Sequence, residues 1–558
     1  MNSETRNCQK CKNNFNIEPD GFSFYEKLKV PAPKVCPDCR FKQQAVWRNE
    51  MSLYTGRACD LCKKSIVTMY NPKSSYKVYC LDCYKSDNWD PRSFAKAYDS
   101  SRSFFEQLNE LLISVPKATL FDAAGYGSNV RSDYTNASAA LKDCYFLFNS
   151  GPAENTFYSR GVDMTNDVSD AYFCVKDEQC YEILNTHECN TVVWSTNCRS
   201  CVNCYFCEDL SGCTDCFGCV GLRNKSLHIY NEKVSRDEFG KFMDDFRGSY
   251  KRQQEEKQKF NNFRLQFPKR ESHNIGTVNS SGDYLSNTKN VKHSFEIRVG
   301  GEDAMHCFAC KAPKDSVGVL GYGVKSELLL EVVSTGNSSR VIGSYAIDNS
   351  SDVLHSFSCR PNNKKLIGCD SMKNAEYCIL NKQYTKEEYE KLREHIINEL
   401  TEKGVYGLMM PPELSPFAYN ETIAQDNMPL SKEEAIAQGF RWEDDVQMTK
   451  GKETLLPENI PDHIKDIADD ITKEILKCVD CERNYKIIEQ ELLFYKKMTL
   501  PIPRKCFYCR HKDRIVRRGP YKFWQRNCAH CNKEITTNYA PERPEIVYCE
   551  ECYQQEIY

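Results

Sequence analysis

The chain has 558 residues, a net charge of −3 and 32 cysteines. This length allows roughly three to five domains and more than one hydrophobic core. The near-neutral charge excludes a polycation, so any nucleic-acid surface must be local. The first ten residues contain no apolar h-region, and no apolar run approaches the length of a membrane span. These features predict a cytoplasmic protein whose thiols are reduced and bind metal.

Cysteine pairs of the form C-x-x-C occur four times near each end of the chain. The gaps between successive pairs are 24, 19 and 17 at the amino end and 24, 18 and 17 at the carboxyl end. The flanking sequences match too, as "FYEKLKVPAPKVCPDCR" and "FYKKMTLPIPRKCFYCR" show. This repetition indicates an internal duplication. The predicted ligands are Cys8, Cys11, Cys36, Cys39, Cys59, Cys62, Cys80, Cys83, Cys478, Cys481, Cys506, Cys509, Cys528, Cys531, Cys549 and Cys552.

Two such pairs supply four thiolates, which close the tetrahedral coordination sphere of Zn²⁺ and leave no position for a substrate. The sequence therefore predicts four structural zinc ions, two in a double zinc ribbon at residues 1–91 and two at 478–558. We favour sequential pairing, the first pair with the second and the third with the fourth, with the pairs on short β-hairpins. An interleaved pairing uses the same cysteines, and the spacing does not exclude it.

The centre of the chain has a second repeat. Every ninth residue from Cys144 to Cys216 is small and apolar, and so is nearly every residue three positions further on. This period predicts a β-solenoid in which two nine-residue halves make each coil, with one lobe at 141–232 and a second at 273–384. The cysteine-rich run "NCRSCVNCYFCEDLSGCTDCFGC" falls largely in the inward columns, which favours packing in a narrow core over metal binding.

Helical segments are predicted between these parts: a linker at 92–140, a connector at 233–272, and a cap and tether at 385–477. Capping boxes at Ser235-x-x-Glu238 and Thr385-x-x-Glu388 predict that each lobe ends in a helix. The predicted fold class is mainly β with α. Duplicated double zinc-ribbon modules at both termini flank a two-lobed β-solenoid with capping and linking helices.

Four stretches carry a resemblance to a known family: the two flanking sequences above, "ETIAQDNMPLSKEEA" and "YAPERPEIVYCEECY". On these the chain resembles a family of large multi-zinc-ribbon, CxxC-rich proteins of candidate phyla radiation bacteria. The similarity spans the whole chain, although "CFYC" replaces the family's usual "CPDC" in the carboxy-terminal copy. The resemblance implies bound zinc and a cytosolic setting, and it supplies no activity.

A basic and aromatic segment near the carboxyl end predicts contact with RNA, DNA or a ribonucleoprotein, because cations neutralise phosphates and aromatic rings stack on bases. The competing hypothesis is a protein-interaction scaffold with purely structural zinc. A third, a β-helix carbohydrate-active enzyme, is disfavoured since only His187-Glu188-Cys189 suggests catalysis; no catalytic residue, small-molecule substrate or membrane partner is predicted. The candidate nucleic-acid residues are Arg504, Lys505, Arg510, Lys512, Arg514, Arg517, Arg518, Lys522, Trp524 and Arg526.

Overall fold

A computed structural model describes residues 3–121, 127–446 and 448–557. Residues 122–126, in the predicted linker at 92–140, lie outside this description. The chain forms two compact units, and each unit combines two separate segments. Unit 1 contains Met1–Leu120 and Ser272–Asp444, and unit 2 contains Phe121–Glu271 and Asp445–Tyr558. The amino-terminal cysteine module thus belongs with the second predicted lobe, and the carboxy-terminal module with the first.

The helices lie mostly outside the repeat regions. Capping boxes at Ser235 and Thr385 begin α5 and α7, as the sequence predicts. In the described residues, the helices α1–α12 are Pro19–Leu28, Pro37–Ala45, Leu81–Lys85, Phe104–Ser114, Arg236–Phe246, Tyr250–Arg264, Lys386–Glu402, Ile423–Asn427, Lys432–Ala437, Glu489–Met498, Phe507–Arg518 and Glu550–Ile557.

Short hairpins build the amino-terminal module, residues 3–91. Its strands β1–β5 are Glu4–Asn7, Asn14–Ile17, Tyr54–Ala58, Ser65–Thr68 and Val78–Tyr79. Strand β1 pairs antiparallel with β2, and β3 with β4. Strand β6, Lys117–Ala118, follows α4 and adds in parallel to β5. The linker therefore extends the module by one strand.

The first parallel sheet lies in unit 2. Its strands pair in parallel with a twelve-residue register, as Glu178↔Asn190 and Asn190↔Val202 illustrate. The predicted coil of two nine-residue halves is therefore wrong. Only β15 and β16, the last pair, form an antiparallel hairpin. The strands β7–β16 are Leu141–Lys142, Tyr145–Phe148, Ala153–Arg160, Thr165–Tyr172, Glu178–Leu184, Asn190–Val193, Val202–Tyr205, Thr214–Phe217, Ser226–Ile229 and Glu232–Lys233.

A three-residue backbone period explains why a nine-residue pattern appears in the sequence. From Arg131 to Tyr230, every third residue except Pro152 has a positive φ, between 45° and 71°. Asn and Asp tolerate this left-handed conformation and recur at these positions. The residue that follows each one points into the core, as Cys144, Leu147 and their successors do. A nine-residue period is therefore three steps, and four steps make the twelve-residue register.

The second parallel sheet, in unit 1, follows the same plan, with registers of twelve or thirteen positions. It also ends in an antiparallel hairpin, β28 with β29. Its core is rich in Val, Leu and Ile and contains fewer cysteines than that of the first sheet. The strands β18–β29 are Gly282–Leu285, Thr288–Lys292, Ser294–Ile297, Gly301–Met305, Phe308–Cys310, Lys314–Tyr322, Glu327–Thr335, Ser339–Ile342, Ser350–Leu354, Asn363–Ile367, Glu376–Ile379 and Lys382–Gln383.

The carboxy-terminal module, residues 478–557, repeats the plan of the amino-terminal one. Strand β17, Lys269–Arg270, pairs in parallel with β34, just as β6 pairs with β5. Hairpins β30–β31 and β32–β33 correspond to β1–β2 and β3–β4. The strands β30–β34 are Leu476–Lys477, Asn484–Tyr485, Trp524–Asn527, Glu534–Thr537 and Val547–Tyr548.

Candidate metal centres and the modules that carry them

The sixteen predicted zinc ligands form four separate groups of four thiols. In each module the first C-x-x-C pair meets the second, and the third meets the fourth. Within each group all four sulfurs lie within 4.8 Å of one another. None of these cysteines is in a disulfide. The groups are Cys8, Cys11, Cys36 and Cys39; Cys59, Cys62, Cys80 and Cys83; Cys478, Cys481, Cys506 and Cys509; and Cys528, Cys531, Cys549 and Cys552.

Sulfur separations match those of a tetrahedral zinc site. The Cys11 and Cys36 sulfurs are 3.6 Å apart, and the Cys531 and Cys549 sulfurs are 3.8 Å apart. Four thiolates at the Zn–S distance of about 2.3 Å would place neighbouring sulfurs about 3.8 Å apart. The geometry therefore fits four Zn(Cys)₄ sites, each with its coordination sphere closed by protein.

The first cysteine pair of every site is held by the same turn. In the first site, Cys8 N–H donates to Asn13 O at 2.9 Å, and Lys12 N–H donates to Cys8 O at 3.0 Å. Lys12 has φ of 63°, and Lys63, Glu482 and Asn532 occupy the matching positions with φ of 64°, 60° and 62°. This left-handed residue lets the chain return along the hairpin immediately after the second thiol.

The second cysteine pair lies at the start of a helix rather than on a hairpin, so that part of the prediction is wrong. Cys36 is the N-cap of α2, Cys80 of α3 and Cys506 of α11. The N–H of each such cysteine donates to the first thiol of the partner pair, with Cys36 N 3.3 Å from Cys8 Sγ and Cys506 N 3.2 Å from Cys478 Sγ. Helix N-termini and N–H donors both favour thiolates.

Backbone donors lower the pKa of the leading thiols. Burial raises the pKa of Cys59, but N–H groups of Cys62, Cys80 and Leu61 outweigh it and bring the pKa to about 6. Burial and backbone N–H donors act in the same way on the Cys528 thiol, whose pKa is also about 6. A thiol that is already ionised near neutral pH binds zinc without a large proton penalty.

Helix α2 carries a buried cation from the first site into the second parallel sheet. Arg40, one turn after Cys36, donates to Glu331 Oε1 at 2.8 Å and to the Tyr25 hydroxyl at 3.2 Å. The side chains of Arg40 and Glu331 are 5% and 2% exposed. One turn further on, Gln44 donates to Gly318 O. The ion pair fixes the helix on β23 and β24.

Helix α11 does the same for the first parallel sheet. Arg510 Nε donates to Asp170 Oδ1 at 3.0 Å. The Arg514 guanidinium lies 2.9 Å from Asp170 and 3.1 Å from Glu182, and it is fully buried. Arg518 donates to the Tyr172 hydroxyl at 2.7 Å. Two acids on β10 and β11 thus neutralise the basic face of this helix.

A second anchor in each unit comes from the strand that the linker adds to the module. Lys117 of β6 pairs with Asp370, and Lys269 of β17 pairs with Glu208 at 3.0 Å. Asp370 and Glu208 are 162 positions apart in the sequence. The two sheet ends, however, match at an offset of 150. The modules of the two units therefore dock at places that differ by one twelve-residue repeat.

Four arginines of the predicted nucleic-acid surface make contacts within unit 2. Arg510, Arg514 and Arg518 are buried and engaged with the first parallel sheet, and Arg504 donates to Ile460 O at 3.0 Å. A positive segment in the sequence does not reveal which face of a helix is covered by another element. The net charge of this segment therefore gave no indication that these side chains are buried.

The other six candidate residues are placed as follows. Lys505 pairs with Asp480 and Asp513, and Arg517 with Glu182. Lys512 and Lys522 are exposed, whereas Trp524 and Arg526 are half-buried. Two exposed lysines do not form the continuous basic strip that the segment predicts.

The cysteine-rich run lies inside the first parallel sheet. Its thiols are fully buried and belong to one core cluster with Leu141, Val192 and their neighbours. Cys307 and Cys310 are buried in the second sheet in the same way. The structure therefore places these cysteines where the packing interpretation puts them.

Residues that suggested catalysis do not converge. Glu188 is exposed and pairs with Lys176, while Cys189 is buried. A surface groove of about 690 Å³ runs along the second parallel sheet, and Glu327 is the one carboxylate among its lining residues. The groove lacks the paired carboxylates that glycosidic hydrolysis uses.

The docking acids Asp170, Glu182, Glu208, Glu331 and Asp370 are functional residues that sequence reasoning missed. Each lies in a repeat region that contains other acidic residues, such as Asp167, Glu178 and Glu327, so the sequence does not distinguish the docking acids from exposed ones. One signal was available for a related element: "PELSP" at 412–416 and "PENIP" at 457–461 repeat, and both begin with a short 3₁₀ helix. These tethers contact the modules, since Trp47 donates to Met410 O and Arg504 to Pro461 O.

Comparisons with known proteins add no family. No family model matches the chain, and no curated protein does. A crystal structure of a protein named as an acetyltransferase from Desulfovibrio desulfuricans G20 aligns with 47% of this chain and 81% of its own, at 9% identity and a TM-score of 0.10. A similarity of this size carries no argument about fold or activity. Among the described residues, no helix is long and apolar enough to cross a bilayer.

Proposed function

We propose that this protein is a non-enzymatic scaffold in which four structural zinc ions hold two modules against two β-solenoid lobes. We favour another protein as its partner, because the arginines that suggested nucleic acid are paired with an acid of the first sheet. In this proposal each parallel sheet closes into a solenoid with four three-residue sides per twelve-residue coil. The zinc ions take no part in chemistry, because a sealed Zn(Cys)₄ site has no position for a substrate.

One observation carries the proposal: the helix that begins at a zinc-site cysteine delivers a buried arginine to the sheet one turn later. Cys36 precedes Arg40, and Cys506 precedes Arg510, by four residues. Both arginines pair with acids that have almost no solvent contact. Zinc binding therefore supports the placement of a charge that would be costly to bury alone.

Nucleic-acid binding is the less favoured function, since the cations that suggested it are used inside unit 2. It can be tested without disturbing the fold by reversing only exposed cations. Lys512→Glu with Lys522→Glu would reduce binding to mixed RNA at low salt if this face contacted phosphates. We expect no RNA shift with the wild-type protein under these conditions, and a shift that the double variant abolishes would favour nucleic acid over a protein partner.

The structural role of zinc is tested by removing one site from each module in turn. We expect about four zinc ions per wild-type chain by elemental analysis. Cys36→Ser with Cys39→Ser should leave three and make unit 1 sensitive to protease, whereas unit 2 should stay resistant. Cys506→Ser with Cys509→Ser should give the reverse pattern. Full protease resistance of either variant, or a chain purified without zinc, would contradict the proposal.

A further inference from the structure

The second parallel sheet begins with an edge that pairs on one side only. Its other end is closed by the hairpin of β28 and β29 and by α7. Residues 274–281, which we call the open edge, precede β18 and bridge in parallel to the next repeat, as Ile275↔Ser286 and Val278↔Lys289 show. Among the described residues, no strand pairs with the opposite side of the open edge.

Unpaired backbone groups flank Val278 on that opposite side. Val278 itself faces its own sheet, because its N–H donates to Thr288 O at 2.8 Å and its C=O accepts from Asn290 N–H at 3.0 Å. On an edge strand the groups next to such a residue point away from the sheet. Among the described residues, none donates to Thr277 O and none accepts from Asn279 N–H. A row of unpaired donors and acceptors is a template for another strand.

The open edge also lacks the features that keep strands from pairing with it. Natural sheets protect their edges with charged side chains, with proline or with a covering segment. The sequence of residues 274–282, "NIGTVNSSG", contains no charge and no proline. Ile275 is 37% exposed and Val278 is 62% exposed, so no segment of the chain covers these two side chains.

The first parallel sheet offers an internal comparison, since its first edge is protected. Both sheets begin with two bridges three residues apart, and Asp133 in the first sheet occupies the place of Val278 in the second. Arg131, two residues earlier, adds a second charge. Asn136 is buried and its side chain accepts from Phe121 N–H at 2.8 Å, so a preceding segment covers part of this edge. The repeat itself therefore does not require an unprotected edge.

We propose that the open edge pairs with the open edge of a second copy of this chain, about a two-fold axis at Val278. In an antiparallel pair centred there, Asn279 N–H of each copy donates to Thr277 O of the other, and the two Val278 residues lie opposite each other. Opposed β-branched side chains stabilise such a pair, whereas two carboxylates at this position, as at Asp133, would repel. This self-association does not require the protein partner proposed above.

The shape of the open edge favours a second copy over an extended strand of another protein. Gly276 and Asn279 have φ of 62° and 47°, and left-handed residues of this kind bend a strand. A straight strand follows the edge only between these two bends. A second copy carries the same bends on its own edge, so that pairing extends from the axis to Gly276 N–H and Ser280 O of the other copy.

Light scattering of the full-length, zinc-loaded chain tests the pairing as its concentration rises from about 1 to 300 μM. We expect the mean mass to rise from one chain toward two, because a few edge hydrogen bonds and one valine pair give only weak association. Hydrogen exchange should slow in residues 274–282 as the dimer forms and stay unchanged in residues 128–134.

Three results would overturn the proposal. The first is the mass of one chain at every concentration, which would make the open edge a solvated end of the sheet. The second is a dimer in which residues 274–282 exchange as fast as in the single chain, which would place the interface elsewhere. The third is protection of the open edge by another protein in a chain that stays single.

Variants at Val278 locate the axis. Val278→Asp, which copies Asp133 of the first sheet, should weaken association at least tenfold, and so should Val278→Lys. An equimolar mixture of the two variants should recover the dimer, because opposite charges then face each other. Both variants change an exposed side chain, and unchanged circular dichroism and zinc content verify that they fold.

Val202→Asp is the matched control. Val202 is 44% exposed on β13, a strand that pairs on both sides, so this variant should associate like the wild type. A dimer that both Val278 variants retain, or a mixture of them that stays single, would refute an axis at Val278.

Discussion

Single buried charges decide how each module is held. Arg514 is fully enclosed and lies within 3.1 Å of two carboxylates, Asp170 and Glu182. Lys512, two residues earlier, is exposed on the same helix. The same charge therefore has two different roles on opposite faces of α11, and only the position of the sheet distinguishes them.

Arg514→Met should destabilise unit 2 by about 1.5–3 kcal/mol, because it removes a fully buried cation from Asp170 and Glu182, which keep Arg510 and Arg517 as their remaining partners. Lys512→Met, the matched control, should change stability by less than about 0.5 kcal/mol. Chemical denaturation followed by circular dichroism measures both. Equal stabilities of the two variants would show that the Arg514 ion pair contributes nothing to docking.

Asp177 gives unit 2 a distinct dependence on pH. It occupies an inward position of the first sheet, where it accepts hydrogen bonds from Thr186 Oγ1 at 2.6 Å and Cys189 N at 2.9 Å. Burial outweighs these bonds and raises its pKa from 3.8 to about 7. The folded state therefore holds this proton more tightly than the unfolded state does.

Stability from Asp177 is fully present below the unfolded pKa and is lost as pH rises through the folded one. Between pH 5.5 and 7 the wild type should lose about 1.6 kcal/mol relative to Asp177→Asn, which does not titrate. The Asn amide oxygen can accept from Cys189 N–H, and its NH2 group can donate to Thr186 Oγ1. Denaturation at several pH values tests this. Parallel pH profiles for the two proteins would mean that Asp177 is ionised in the folded state.

At the scale of single residues, cysteine spacing predicted which thiols come together in groups of four, whereas charge did not predict exposure. The spacing of a C-x-x-C pair determines its local geometry, because two thiols separated by two residues lie on one turn. An arginine carries no such local information. Arg510 and Lys512 read alike in the sequence, and their difference arises from Asp170, which lies 340 residues away in the chain.

At the scale of elements, the repeat shows both the strength and the limit of pattern reading. The inward column from Cys144 to Cys216 was located correctly, because any multiple of the three-residue step falls on inward positions. The length of one coil was predicted wrongly, because several multiples of three residues give equally regular columns of inward positions. The deciding quantity is the twelve-residue strand register, which depends on hydrogen bonds between repeats.

A duplication experiment tests the register directly. Repeating residues 142–153 inserts one further twelve-residue repeat, and the second copy stays adjacent to Glu154, so its contacts with the module are kept. Repeating residues 142–150 adds nine and preserves the inward pattern, but it moves the neighbouring strands out of register. We expect the twelve-residue insertion to fold with all four zinc ions and the nine-residue insertion to aggregate or lose zinc from the carboxy-terminal module. The opposite result would favour a coil built from nine-residue steps.

At the scale of the whole molecule, successive segments of the chain belong alternately to unit 1 and unit 2. Unit 1 takes residues up to 120 and then 272–444, and unit 2 takes residues 121–271 and then those from 445 onward. Sequence repeats revealed both duplications, of the modules and of the sheets. They did not reveal which module belongs to which sheet, since that depends on docking residues such as Glu331 and Asp170 that lie outside the repeated motifs.

Cutting the chain between Asp444 and Asp445 should separate unit 2 into two fragments and leave unit 1 intact. Residues 1–444 should bind about two zinc ions and protect their second sheet from protease, while residues 121–271 should be cleaved. Adding residues 445–558 should restore protection, and the same fragment with Arg514→Met should restore it poorly. Protection of residues 121–271 without the added fragment would show that the first sheet does not need its module.

The alternating order has a consequence for synthesis on the ribosome. The amino-terminal module is complete at residue 91, but the sheet that it covers ends at Gln383, so roughly 290 residues must be translated in between. At 5–20 residues per second this interval lasts about 15–60 seconds. During that time the nascent module must persist without its partner, and early capture of zinc would stabilise its short hairpins and helices. Cellular zinc supply would then govern the yield of folded chains, ahead of any later step.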